Sequence, residues 1–193
     1  MKGKPTISLD SVSIERGEKP LLSQFSLELS GPKLLWVVGG NGIGKTSFLR
    51  TCAGLSCPAS GSVNWTLGGT AVTAPDVISF LPSESYAKTG LRTREEAQFW
   101  GTDLASSHIE QHGLTLTQNL STGQTKRLSF AKLLSDEKPI WILDEPLAGL
   151  DSDGRALIAK HLQNHVNQGG LALVASHAPI SVDYIPTQRL VLK

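Results

Sequence analysis

Cysteine is nearly absent: Cys52 and Cys57 are the only two in 193 residues. They form no CxxC pair, which leaves no thiol zinc or redox motif, and the CxxCH of covalent haem attachment is missing. With no leader-like stretch at the start, reduced thiols in a cytosolic protein are the expectation. Long apolar runs are also absent. Residues 34–38 (Leu34-Leu35-Trp36-Val37-Val38) are of strand length, far short of the ~20 residues that span a bilayer. If the protein serves a membrane process, another chain supplies the membrane part. An excess of either charge is missing too: 18 Lys and Arg face 17 Asp and Glu, for a formal net charge of +1. No strong field recruits nucleic acid or anionic lipid, and no nucleic-acid partner is expected.

What is present is a regular alternation of elements. Residues 7–14 and 21–29 alternate apolar and polar side chains and predict two half-buried strands. The turn between them is Arg16-Gly17-Glu18-Lys19-Pro20. Residues 34–38 predict a buried parallel strand. A helix follows from Lys45 to about Ala53, then short strands near residues 63–67 and 77–81, the second stopped by Pro82. From about Ser83 to Asn119 the β-branched runs disappear and helix formers such as Glu95, Glu96, Ala97 and Gln98 take over. Beyond Leu120 the pattern resumes as helix 123–134, strand 140–143, helix 152–167, strand 171–175 and a last strand near 189–192. The expected fold is a single α/β domain over residues 1–193 with a mainly parallel sheet and an N-terminal antiparallel β hairpin. Its core covers about 1–84 and 125–193, and a small helical lobe is inserted at about 85–124.

The chemistry starts at Gly39-Gly40-Asn41-Gly42-Ile43-Gly44-Lys45-Thr46, a phosphate loop between an apolar strand and a helix. Glycines let the backbone curl until several N–H groups face one anion, and the helix N-terminus adds partial positive charge. Lys45 is placed to reach β- and γ-phosphates, the Thr46 hydroxyl to ligate Mg²⁺, and Ser47 to touch the α-phosphate. An ordinary glycine-rich turn does not require the strand, the lysine and the threonine together. Strand 140–143 ends in Asp144-Glu145-Pro146. Asp144 suits Mg²⁺ coordination and Glu145 suits general-base activation of the attacking water.

The third motif is Leu120-Ser121-Thr122-Gly123-Gln124. Read alone, it is a helix cap with Gln124 as capping-box partner. Set between the other two, and followed by Ala148-Gly149-Leu150-Asp151 and His177, it makes the chain resemble the ATPase subunits of ABC transporters along essentially its whole length. Thr122 replaces the first glycine of that family's usual pentapeptide. The resemblance implies an ABC-type P-loop NTPase fold, ATP with Mg²⁺, and a head-to-tail homodimer that sandwiches two ATP molecules. It implies that Ser121, Gly123 and Gln124 meet the nucleotide held by the other subunit, that Asp151 lies at the dimer seam, and that His177 contacts γ-phosphate and positions the water. It also implies a multi-span membrane permease as partner and a peripheral place on the cytoplasmic face of the inner membrane.

Two positions depart from the family pattern. Glu84 stands where a metal-contacting Gln is usual, and Arg16 where an aromatic stacks on adenine, so a guanidinium plane takes that role or the stacking is lost. The pairs His108/His112 and His161/His165 have i,i+4 spacing but no HExxH frame, and they predict solvated helix faces rather than metal ligands. A narrower resemblance is to the ATPases of cytochrome c maturation, often called haem exporters. It rests on Trp141 to Pro146, Gln168-Gly169-Gly170, Ser176-His177-x-Pro179 and Phe80-Leu81-x3-Ser85-x2-Lys88-Thr89, with Ser83-Glu84 replacing the usual His-Gln. Two other readings stay open: the ATPase of another small transporter, and a non-transport ATPase or nucleotide-dependent scaffold. Turnover separates the scaffold from the others.

Overall fold

The computed structural model describes residues 3–17, 19–84, 87–180, 182–183 and 185–193. Glu18 of the first turn and Ser85 of the narrower motif lie outside them.

Two sheets stack. Strands β1 (Pro5–Arg16), β2 (Lys19–Ser30), β4 (Ser60–Leu67) and β5 (Thr70–Val72) form an antiparallel sheet in the order β2-β1-β4-β5. Strands β3 (Lys33–Val38), β6 (Ile78–Leu81), β7 (Ile140–Asp144), β8 (Leu171–Ala175) and β9 (Thr187–Val191) form a parallel sheet in the order β6-β7-β8-β3-β9. Helices α1 (Lys45–Cys52), α2 (Ala74–Val77), α3 (Thr93–Phe99), α4 (Thr122–Ser135) and α5 (Ser152–Asn167) complete the fold.

The continuous apolar runs explain the layering. Every residue of β7 and β8 is buried, as a parallel strand covered on both faces requires. Successive side chains alternate between two cores. Leu35, Val37, Ile140, Ile142, Leu171 and Leu173 pack with Phe48 and Leu49 of α1 and Ile7 and Leu9 of β1. Leu34, Trp141, Leu143, Ala172 and Val174 pack with Phe130 of α4 and Ile158 and Leu162 of α5. Truncating any of the larger ones to Ala costs about 2–5 kcal/mol.

Between β6 and α4 regular structure is sparse. Its one α-helix among the described residues, α3, has 7 residues. The rest is three 3₁₀ turns, at Ala105–Ser107, Glu110–His112 and Thr117–Asn119. A small apolar cluster joins this segment to α4: Ala97, Ile109 and Leu128, flanked by Trp100, Leu104 and Leu120. The segment is therefore less helical than its helix formers suggest. Too few apolar residues recur at helical spacing to bury a second long helix.

The His161/His165 pair corrects the solvated-face expectation, and the His108/His112 pair, of which His108 is exposed, stands on 3₁₀ turns and not on one helix face. His108 follows one 3₁₀ turn with φ 55, and His112 ends the next. His165, on α5, is 6% exposed; it stacks on Trp141 at 4.0 Å between ring centroids, with its Nε2 3.3 Å from the Leu171 carbonyl. His161 tilts onto Phe130 at 5.7 Å. Periodicity does not reveal this because α5 buries a wide face. Burial pushes His165 down from 6.5 to about 4, against the opposing pull of the Leu171 carbonyl. His161 is lowered too, again mainly by burial. The unfolded chain then binds protons more readily than the fold, so stability is complete above pH 6.5 and falls as pH drops toward 4. In urea titrations the protein should lose about 2 kcal/mol from this group between pH 7.5 and pH 5. His165→Phe should show an acid loss smaller by that amount; an unchanged pH slope would contradict the assignment.

Candidate active site

Three parallel strands end on one edge, and each delivers part of the site. Strand β3 runs into the phosphate loop, which α1 continues. Gly44 caps α1 with φ 110 and ψ 11, a left-handed conformation that glycine adopts without strain. A Cβ there would also stand 3.1 Å from Leu21 of β2, which packs the N-terminal hairpin against the loop. Gly39 and Gly40 turn their carbonyls to Lys45, whose Nζ donates to them at 2.9 and 3.0 Å. Ile43 packs on the hydrophobic core. The Lys45 side chain is buried, yet its amine lies at the cleft.

Strand β7 ends at Asp144, 2% exposed, whose Oδ2 accepts the Thr46 hydroxyl at 2.7 Å. Next to it Glu145 has φ 48, an unfavourable value for a side chain with a Cβ. Such outliers concentrate at functional sites, where surrounding contacts over-determine them. Here the restraint is the Glu145 N–H, which donates to the Ala175 carbonyl of β8 at 2.8 Å. The register of β7 on β8 thus sets Glu145 beside His177, two residues past the end of β8. The His177 N–H donates to Glu145 Oε2 at 3.3 Å. The ring Nε2 stands 3.1 Å from Lys45 Nζ and 3.4 Å from Glu145 Oε1. An ammonium can only donate, so Nε2 is an acceptor in this arrangement. Glu145 Oε1 consequently has no hydrogen-bond partner among the described residues although it is buried. A carboxylate oxygen left in this state seeks a donor such as water.

These groups line a cleft of about 260 Å³ with Asn41, Gly42, Gly44, Ser47, Ser83 and, from the end of β1, Arg16. Glu84 is exposed, next in the chain to Ser83; Ser83, not Glu84, is the lining residue. Lys126 of α4 escaped the sequence reading. It is 1% exposed, and its Nζ donates to the Ser83 carbonyl at 2.6 Å and more loosely to that of Pro82. Burial lowers its pKa, while the nearby Asp144 and Glu145 raise it. A lysine inside an otherwise ordinary amphipathic helix carries no sequence signal for this contact.

Ser121, Gly123 and Gln124 are not in that cleft. They line a second one of about 290 Å³ with His108, His112, Arg127, Gly149, Leu150 and Asp151. Ser121 is the N-cap of α4 and accepts the Gln124 N–H. Gly123 fits because a Cβ there would lie 2.9 Å from the Gly149 carbonyl, so the start of α4 and the loop before α5 nearly touch. Asp151 caps α5 through the Gly154 N–H and pairs with Arg127 at 2.7 Å; both contacts lower its pKa, the cap more.

A phosphate loop, an Asp–Thr pair and a Glu–His pair gathered at the carboxyl ends of a parallel sheet define a P-loop nucleoside triphosphatase. Residues 22–148 match the family model described as ABC transporter. The chain belongs to that family and is an ATP-binding, ATP-hydrolysing subunit of the ABC type. Curated relatives include the cytochrome c biogenesis ATP-binding export protein CcmA of Bradyrhizobium diazoefficiens, 33% identical over 179 residues, 87% of this chain and 90% of that one. The CcmA of Ruegeria pomeroyi is 35% identical over 187 residues, 92% and 88% of the two chains. Among solved structures, a dimeric ATP-binding cassette in a post-hydrolysis state with ADP and Pi aligns with TM-score 0.75 at 19% identity, covering 89% of this chain and 88% of that one. An ATP-binding protein described as part of an ABC transporter, from Pyrococcus furiosus, aligns with TM-score 0.76 at 22% identity, covering 96% and 97%. At these identities the two structures establish the fold.

Proposed function

We propose that this subunit powers haem export or haem delivery in cytochrome c maturation. The observation that carries the reading is the similarity to CcmA proteins over most of both chains. In this reading two copies close head-to-tail around ATP beneath a multi-span permease, on the cytoplasmic face of the inner membrane. Among the described residues no helix is long and apolar enough to cross a membrane; in this reading the permease is a separate chain. Residues 1–193 act as one ATPase domain, with the lobe at about 85–124 facing the permease. The thin lobe, whose one α-helix among the described residues is the 7-residue α3, favours a second reading in which another small permease is the partner.

In the cleft, the phosphate loop and Lys45 hold the β- and γ-phosphates, Ser47 the α-phosphate, and Arg16 lies against the base. The Thr46 hydroxyl and Asp144 carboxylate, 2.7 Å apart, are hard oxygen donors on one side of the loop, a set that suits Mg²⁺ completed by water and phosphate oxygens; Glu84 is a further candidate oxygen. Bound there, Mg²⁺ would neutralise charge on the β- and γ-phosphates. Glu145 takes a proton from the water whose oxygen attacks the γ-phosphorus as the bond to the bridging oxygen breaks. His177 positions that water. Ser121 and Gly123 clamp the γ-phosphate held by the other copy.

Deleting the gene in its own host should abolish haem-stained c-type cytochromes, and a plasmid copy should restore them. Normal c-type cytochromes in the deletion strain would overturn the cytochrome c reading and leave the ATPase standing. Ser121→Arg should lower ATP-driven dimerisation and turnover about tenfold, the worth of one charge-assisted hydrogen bond. ATP binding by the isolated subunit should persist.

A further inference from the structure

The start of α4 is held by a relay that leaves the pentapeptide. The Ser121 backbone N–H donates to Gln124 Oε1 at 2.9 Å, and the Gln124 N–H donates to Ser121 Oγ at 3.2 Å. The first bond fixes which way the Gln124 amide lies, because only its oxygen can accept. Its NH₂ must then point away from Ser121, and at 2.9 Å it meets His112 Nε2. An amide NH₂ only donates, so His112 Nε2 is the acceptor and the ring carries its proton on Nδ1. The chain Ser121–Gln124–His112 is thereby directional from end to end.

His112 belongs to the segment between β6 and α4, not to α4. Its own N–H bonds to the Ile109 carbonyl, and its carbonyl accepts the Thr115 N–H. Ile109 is 1% exposed and packs with Ala97 of α3 and Leu128 of α4. The stretch after His112 is tied to the start of α3, where the Thr93 and Arg94 N–H groups bond to the Thr115 and Gly113 carbonyls. His112 therefore stands on a support anchored to α3 and reaches across to the cap of α4. Both side chains line the cleft that contains Ser121 and Gly123.

We propose that His112 is a positioning residue of this half-site. It locks the Gln124 amide in the orientation that holds the Ser121 N–H, keeps the cap and Gly123 ready for the γ-phosphate of the other copy, and links that readiness to the placement of α3. The proposal rests on the half-site reading of Ser121 and Gly123. Without the acceptor, the Gln124 NH₂ turns to solvent and the amide is free to flip. A flip would set its NH₂ against the Ser121 N–H, donor against donor, and the capping box would open.

The test uses the full chain with ATP and Mg²⁺ and reads ATP-driven dimerisation, kcat, KM and melting temperature. His112→Leu should lower kcat and dimerisation about tenfold, while ATP affinity of the isolated subunit and the melting temperature stay near the parent. His112→Gln, whose side-chain carbonyl reaches about as far as Nε2 and can accept from Gln124, should recover most of the loss. In a Gln124→Ala background His112→Leu should add little, because the bond it removes is already gone. Parental kcat and dimerisation in His112→Leu, additive losses in the double variant, or a folded His112→Gln as deficient as the leucine would each overturn the proposal. If Ser121→Arg also left dimerisation intact, the half-site reading itself would fall. Loss with Ser121→Arg but not with His112→Leu would remove only the role of His112.

Discussion

Glu145→Gln is expected to lower steady-state ATP turnover by about 10²–10⁴-fold, the usual worth of a positioned general base, while ATP binding survives. The substitution is nearly isosteric, so the left-handed backbone at φ 48 and the N–H bond to Ala175 have no reason to change. What disappears is basicity at Oε1, the buried oxygen with no hydrogen-bond donor among the described residues. An amide there cannot take the proton of an attacking water. A second consequence follows from charge. Glu145 lies beside Asp144 at the end of β7, so removing one carboxylate lessens repulsion toward the triphosphate. The ATP-bound dimer should then accumulate and be visible by size-exclusion chromatography with ATP. Phosphate release by the variant at the parental rate would show that another group is the base.

Lys45→Ala should weaken ATP binding by at least about 100-fold, the low end of what two charge-assisted hydrogen bonds at ~1.5–3 kcal/mol each are worth. The amine lies within the curl of the loop, at the cleft. It is held meanwhile by the Gly39 and Gly40 carbonyls and faces His177 Nε2 at 3.1 Å. Truncation removes the charge and the donor to both carbonyls, so the loop loses its internal tie as well as its phosphate contact. Calorimetric titration with ATP and Mg²⁺ measures the change. An alanine variant as competent in binding as the parent would sink the phosphate-loop assignment. Glu145 and Lys45 should thus separate the two halves of the activity: one variant is expected to bind ATP with little turnover, the other to bind it much more weakly.

Much of the framework was legible because its signals are local. Continuous apolar runs mark β3, β7 and β8, since a strand covered on both faces has no polar side to show. The phosphate loop is legible because glycine, lysine and threonine at fixed spacing serve one geometry. Ser121 and Gln124 read as a capping box, and they form one at the start of α4. Less was legible between β6 and α4. Helix formers there suggested a helical lobe, but α3 has 7 residues and the remainder is held by 3₁₀ turns and side-chain bonds. One such tie is Glu96, fully buried, whose carboxylate accepts the Lys88 N–H. Its pKa is raised by burial and pulled back by that bond.

By itself the sequence determined the family, the alternation of strands and helices, and the glycine, lysine and threonine motif proposed to hold phosphate. The elements and the motif depend on neighbours within a few positions along the chain, and the family on the order in which several such local motifs follow one another. Only the tertiary structure decided which distant groups meet. The pairing of β7 with β8 puts Glu145 beside His177, α4 carries Lys126 to the Ser83 carbonyl, and the turn at Glu110–His112 brings His112 to Gln124. It also buried His165 against Trp141, where spacing alone suggested a solvated face. The physical reason is common to all four. Contact across the chain is set by strand register and by which helix face is covered, and neither is written in the spacing of residues along one segment.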